Sequence, residues 1–171
     1  MTYRLHQACG LAFAALLLCS VAEAQEGEFL KRFEGQFSGS GSVSRNESES
    51  ATKVRCKMNG SASADAVSMS GTCRAAIIFS RKISAELHVD GSGAYTGAYT
   101  GSSIGPAALS GQRTGDAVNL TITWPQPVRG DTSALMTIRN DGNGAVSITI
   151  TDEVPAGGPK TQVSHISLSP S

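Results

Sequence analysis

From Gly35 to its end, this chain alternates with period two, and that alternation restricts its fold more than any other feature. Phe37, Gly39, Gly41 and Val43 interleave with Ser38, Ser40, Ser42 and Ser44. One face is serine throughout and the other is apolar or bare, which is the pattern of a half-buried strand. Val54, Cys56 and Met58 share the next inward face. Val67, Met69, Gly71, Cys73 and Ala75 share the one after, continuing toward Ile77 and Phe79. Ile83, Ala85, Leu87 and Val89 lead into the turn signal Asp90-Gly91-Ser92-Gly93, and Tyr95, Gly97 and Tyr99 return. Ala107, Leu109 and Gly111 follow, then Val118, Leu120, Ile122 and Trp124 after a turn at Arg113–Asp116. Ala134, Met136 and Ile138 precede the turn Asn140-Asp141-Gly142-Asn143-Gly144. Val146, Ile148 and Ile150 come next, and Gln162 to Leu168 makes a final strand.

The cysteines fix a register. If Cys56 faces Cys73 across a hairpin, Val54 faces Ala75 and Met58 faces Gly71, so the apolar residues of both strands fall on one side. A slip of one residue would break this agreement. The same counting puts Val89 opposite Tyr95 and Ala85 opposite Tyr99. Short connections make sequence neighbours into antiparallel spatial neighbours. A long up-and-down sheet has two exposed edges unless it curls and closes. The expected fold is therefore all-β: an antiparallel up-and-down barrel of about nine to ten strands, with a short N-terminal helix and one disulfide. A two-sheet sandwich is the competing architecture. Glycines inside the strands, as in Gly93-Ala94-Tyr95-Thr96-Gly97-Ala98-Tyr99, mark bends in the wall.

Met1 to Ala24 has the layout of a secretory signal. It carries an early Arg4, an apolar stretch from Leu11 to Leu18, and a closing Ala22-Glu23-Ala24. Cleavage near Ala24 divides the chain into a signal at 1–24 and one domain at 25–171, working in the periplasm or outside the cell. Cys9 and Cys19 leave with the signal, and Cys56 and Cys73 remain as a disulfide pair in an oxidising compartment. Residues 25–34 are the single helical stretch of the mature chain. Phe29, Leu30 and Phe33 share one face there and are placed to close one end of the barrel. Formal net charge is zero, which gives no overall electrostatic footprint for nucleic acid or anionic lipid. No apolar run is long enough for a helix to span a bilayer.

The motifs that carry catalysis are missing: no GxSxG, no P-loop, no HExxH. His88 lies between inward residues and should face solvent. His165 has the same parity against Ile166 and Leu168, although Val163 leaves that face ambiguous. No second ligand stands at metal spacing from either. Asp152-Glu153 reads as a charged turn, and Arg129-Gly130-Asp131 as a turn rather than an adhesion motif. Two features point to binding. The inward faces are small (Gly39, Gly41, Gly71, Gly97, Gly111, Ala85, Ala107, Ala134), so the barrel either pinches or leaves a cavity. Trp124 precedes Pro125-Gln126-Pro127, a stiff loop expected at one rim. Trp124, Tyr95, Tyr99 and Phe37 are the expected ligand contacts, although the same aromatics also read as core fillers.

The run Phe33-Glu34-Gly35-Gln36-Phe37-Ser38-Gly39 leads a short helix into a Gly-x-aromatic first strand. In this the layout resembles the calycin-like barrels: lipocalins and the related nitrobindin-like and fatty-acid-binding barrels. Lipocalins carry Gly-x-Trp where this chain has Gly35-Gln36-Phe37. The closing His165-Ile166-Ser167-Leu168 is similar to the end of a nitrobindin-like barrel, whose terminal histidine holds haem. That likeness makes haem at His165 the one cofactor it implies. The chain also resembles small exported barrel proteins of alphaproteobacteria. The small inward faces, the aromatics and the missing catalytic motifs together lead to the expectation of a non-catalytic barrel binding a small, mostly apolar molecule inside. The alternative is an envelope protein-interaction module, such as an inhibitor or assembly factor, using loops and outer-face residues that include Arg129, Asp131 and the 125–127 segment.

Overall fold

The structure is a computed structural model that describes residues 25–44, 50–76 and 79–171. The signal segment, the Asn46–Glu49 stretch and Ile77 lie outside the described residues. Helix α1 covers residues 25–31. Ten strands follow: β1 (Gly35–Val43), β2 (Thr52–Ala62), β3 (Ala66–Ala75), β4 (Phe79–Val89), β5 (Ala94–Thr100), β6 (Ala107–Thr114), β7 (Ala117–Val128), β8 (Asp131–Asn140), β9 (Val146–Glu153) and β10 (Lys160–Pro170). Every neighbouring pair is antiparallel, and β1 pairs with both β2 and β10, so the sheet is a closed barrel without a free edge.

The register follows the hydrophobic alternation. Cys56 faces Cys73 and Met58 faces Gly71. Val89 faces Tyr95 and Ala85 faces Tyr99. The sulfurs of Cys56 and Cys73 stand at bonding distance, 17 residues apart in sequence. Phe79 does not prolong β3 but opens β4, paired with Ala75.

The closing seam explains the Ser-Gly alternation of β1. Gly39 and Gly41 face inward opposite Leu168 and Ile166 of β10. A Cβ on Gly39 would run into the carbonyl oxygen of Ser167, and one on Gly41 into that of His165. The wall bends so sharply there that only a bare backbone fits. The inward glycines of β1 thus serve a tight bend, while the small inward Ala85 of β4 lines the cavity.

Alternation ends the strands alternately at two rims. α1 sits at the rim where β1 begins, with Phe29, Leu30 and Phe33 buried in the same apolar cluster as Leu109, Leu120, Met136 and Leu168. The turns at Asp65, Asp90, Asp116 and Asp141 belong to that end. The opposite rim carries the C-terminal ends of β1, β3, β5, β7 and β9.

Two local readings change. Pro125-Gln126-Pro127 is not a loop but the exposed, extended end of β7. The register of β7 with β8 breaks between Thr123 and Val128, because prolines supply no N–H to the ladder. Asp152 and Glu153 are not in a turn but close β9.

Candidate functional site

The barrel encloses a cavity of about 670 Å³. Leu30 of α1 and Phe33, in the turn just after it, form its floor. Its wall is built from inward residues of many strands, among them Val54, Met69, Ala85, Val118, Met136, Ile148 and Ile166. Ser44, Phe79, Arg81, Ser102 and Arg129 line it at the rim opposite α1. The lining is mostly hydrocarbon because each strand turns its apolar face inward. Volume and lining both match a small-molecule site, for which about 300–1,000 Å³ is usual.

The four expected aromatic contacts divide. Trp124 and Tyr99 line the cavity, their rings edge to face with centroids 6.2 Å apart. The Trp124 indole Nε1 is buried and meets no acceptor among the described residues. A buried donor in that state carries a desolvation cost of about 1–3 kcal/mol. Burial raises the Tyr99 hydroxyl above the usual phenol range, with the charge of Arg81 pulling the other way. Phe37 is core, outside the cavity lining. Tyr95 is fully buried at the α1 end. Its hydroxyl donates to Glu26 Oε2 at 2.6 Å.

That hydroxyl belongs to a clasp that holds the floor in place. Arg113 donates from Nε to both Glu26 carboxylate oxygens at 2.9 and 3.0 Å, and its Nη2 lies 2.8 Å from Oε1. Burial alone would raise the Glu26 carboxyl; the Arg113 and Tyr95 hydrogen bonds and the Arg113 charge outweigh it and leave the pKa lowered. Arg113 also lies 4.8 Å over the Phe29 ring. At the other end of α1, Asn140 Nδ2 donates to the Arg32 carbonyl at 2.7 Å, satisfying a helix-end acceptor, and Arg32 pairs with Asp116 at 2.8 Å. Arg113 and Asn140 continue the inward parity of β6 and β8 but read as turn residues by sequence, and Glu26 carries no signal in the alternation; the helix brings all three into use.

The opposite rim has its own strap. Arg129 and Gly130 both have positive φ, the two-residue turn that suits a β-hairpin. The Arg129 side chain then pairs with Asp152 at 3.1 Å and donates from Nη2 to the Ser44 carbonyl. It thereby ties the β7–β8 turn to β9 and to the end of β1. The Asp152 side chain is 1% exposed and that of Arg129 12%. Burial raises the Asp152 carboxyl above its usual value, with the Arg129 hydrogen bond and charge opposing. Arg129 is therefore committed within the barrel rather than offered to a partner. Asp131 accepts the Ser133 N–H within its own strand start.

Arg81 shares the inward parity of Phe79, Ile83 and Leu87 and lies at the cavity mouth, one Nη bonded to the Gly101 carbonyl at 2.7 Å. It has no carboxylate partner among the described residues.

His165 faces outward. The register shift between Gln162 and Ser164 turns both Val163 and Ser164 inward and rephases β10, so Ile166 and Leu168 point in and His165 points out. Its Nδ1 lies 3.0 Å from Thr149 Oγ1 and its Nε2 3.1 Å from Ser167 Oγ. Both ring nitrogens are engaged on the outer wall, which does not fit an axial ligand to a haem held inside. His88 is exposed beside Glu86. No cluster of metal-ligating side chains occurs among the described residues, and no helix there is long and apolar enough to cross a membrane.

No family model matches the chain, and no curated protein matches it. Among solved structures, the chain is similar to Rv2717c from M. tuberculosis, at a TM-score of 0.64 and 15% identity. The match covers 84% of this chain and 96% of that one. At this identity the likeness establishes a shared barrel fold.

Proposed function

We propose that this protein is an exported, non-catalytic barrel that holds a small, mostly apolar molecule in its interior. The observation that carries the reading is the 670 Å³ apolar cavity between the α1 floor and the Arg129 strap. Trp124 and Tyr99 supply aromatic area, and the unpaired Trp124 Nε1 suits a ligand with one hydrogen-bond acceptor. The apolar body of the ligand lies toward Leu30 and Phe33, and its polar end toward Arg81 and the rim serines. The calycin-like resemblance of the sequence supports the same use of the interior. The disulfide fits a fold made in the periplasm or outside the cell. Of the contacts named for the protein-interaction alternative, Arg129 is taken up by Asp152 and Ser44, while Asp131 and the 125–127 segment remain.

Trp124 is the one tryptophan of the chain, so its fluorescence reports on the cavity directly. Titration of the mature protein with 1-anilinonaphthalene-8-sulfonate and a series of long-chain alcohols should change Trp124 emission and saturate. Ala85→Phe, which fills the cavity from β4, should weaken binding about tenfold, a cost of about 1.4 kcal/mol, with circular dichroism unchanged. Native mass spectrometry should recover ligand of unaltered mass. A panel without saturable binding, or equal binding by the filled variant, overturns the reading.

A further inference from the structure

We propose that the outer face of β1–β3 is a binding surface for an acidic polysaccharide. These three consecutive strands contain Lys53, Arg55, Lys57 and Arg74 and no Asp or Glu. All four cations are exposed, and Lys82 extends the set onto β4. None of the five has a carboxylate partner among the described residues. The chain as a whole is neutral, yet its charge is sorted by place. Among the described residues the carboxylates lie at the two rims (Glu26, Glu28, Glu34, Asp65, Asp90, Asp116 and Asp141 at the α1 end, Asp131, Asp152 and Glu153 at the other) and at Glu86 on β4, and none lies on β1–β3.

The register sharpens the point. Arg55 stands directly opposite Arg74, and Thr72 stands between Lys57 and Lys82. Like charges directly opposite on a sheet destabilise it. Serine or threonine at these positions would keep the same alternation without that repulsion. The strands therefore tolerate an unfavourable arrangement that an anion would relieve. Along β2 the cations recur about every 7 Å, and across strands they are about 5 Å apart, so the array suits a ligand with many spaced anionic groups.

The residues between the cations select the ligand. Ser38, Ser40, Ser42, Ser70, Thr72 and Asn59 share this face and match a chain dense in hydroxyls. No aromatic residue points outward from these strands, so there is no platform for stacking bases and no interfacial anchor for a bilayer.

The test uses the mature protein with oligogalacturonate as the probe, beside neutral dextran, oligothymidylate and phosphatidylglycerol vesicles. Oligogalacturonate should bind with a strong salt dependence, and dextran should not bind. Lys53→Ser/Arg55→Ser/Lys57→Ser should weaken binding about tenfold or more and lower the logarithmic salt slope by about 1 to 2. Lys31→Ser/Arg139→Ser/Lys160→Ser, with the same loss of charge from other faces, should leave binding within about twofold. The proposal is overturned if oligogalacturonate binds no better than dextran, if both triple variants lose affinity equally, or if oligothymidylate or the vesicles bind as tightly through the same three cations.

Discussion

Replacing Arg129 with alanine removes the partner of a carboxylate that has almost no access to water. Breaking one side of a buried ion pair costs about 3–5 kcal/mol, because the remaining charge stays buried. Here the loss has a ceiling, since Asp152 can take up a proton instead. Protonating an aspartate of unfolded pKa about 3.9 at pH 7 costs 1.36 kcal/mol per unit, or about 4 kcal/mol. At pH 5 the same ceiling is about 1.5 kcal/mol. The sign is fixed by linkage. In the variant the folded carboxyl titrates far above the unfolded one, so the native state binds the extra proton and stability falls as pH rises through that window. In the wild type the Asp152 carboxyl is raised less, because Arg129 opposes the effect of burial. Urea unfolding from pH 5 to pH 7 should therefore show an Arg129→Ala deficit that grows to about 3–4 kcal/mol. Asp152→Asn, which removes the titrating group, should show a deficit that changes little over the same range. A deficit for Arg129→Ala below about 1 kcal/mol at pH 7, or one independent of pH, refutes the strap as described.

Three further outcomes follow from the same geometry. Cys56→Ala/Cys73→Ala, or reduction, releases a 17-residue loop in the unfolded chain and should cost about 3 kcal/mol, with a larger urea m-value; an unchanged midpoint would show that the crosslink does not restrict the unfolded state. Glu26→Gln should cost roughly 1–3 kcal/mol at pH 7 through the weakened Arg113 and Tyr95 bonds. Because the folded Glu26 carboxyl is lowered, its contribution is present above the unfolded pKa and lost as pH falls through the folded one, so the two proteins should converge in acid melts. Gly39→Ala drives a methyl into the Ser167 carbonyl and should cost about 1–3 kcal/mol or more; light scattering should detect association as the β1–β10 seam opens and exposes two edges.

Much of the wall was legible before the structure, and for a simple reason. Side chains in a strand have only two directions, so a run such as Val118, Leu120, Ile122 and Trp124 states which residues are inside. The Cys56–Cys73 pairing then fixed one register, and short turns carried it to neighbours such as Ala85 and Tyr99. Departures arose where the period itself broke. The bulge in β10 turns Val163 and Ser164 inward together and moves His165 outside, which strict parity from Val163 would not give. The prolines of β7 look like a loop because they cannot pair, yet their backbone stays extended.

Alternation determined sidedness, and sidedness led to a barrel with an apolar inside. It held no information about height along the barrel axis. Tyr95 and Tyr99 sit in the same Gly-Ala-Tyr-Thr repeat on the same face, one turned over to Glu26 and Arg113 at the helix end, the other left beside Trp124 in the cavity. Only the folded chain decided between them, because what each ring meets depends on residues from α1, β6 and β7 that are distant in sequence and level in space. The charged face of β1–β3 divides in the same way: the register that sets Cys56 against Cys73 already sets Arg55 against Arg74, and only the folded sheet lays Ser38, Ser40 and Lys82 beside them.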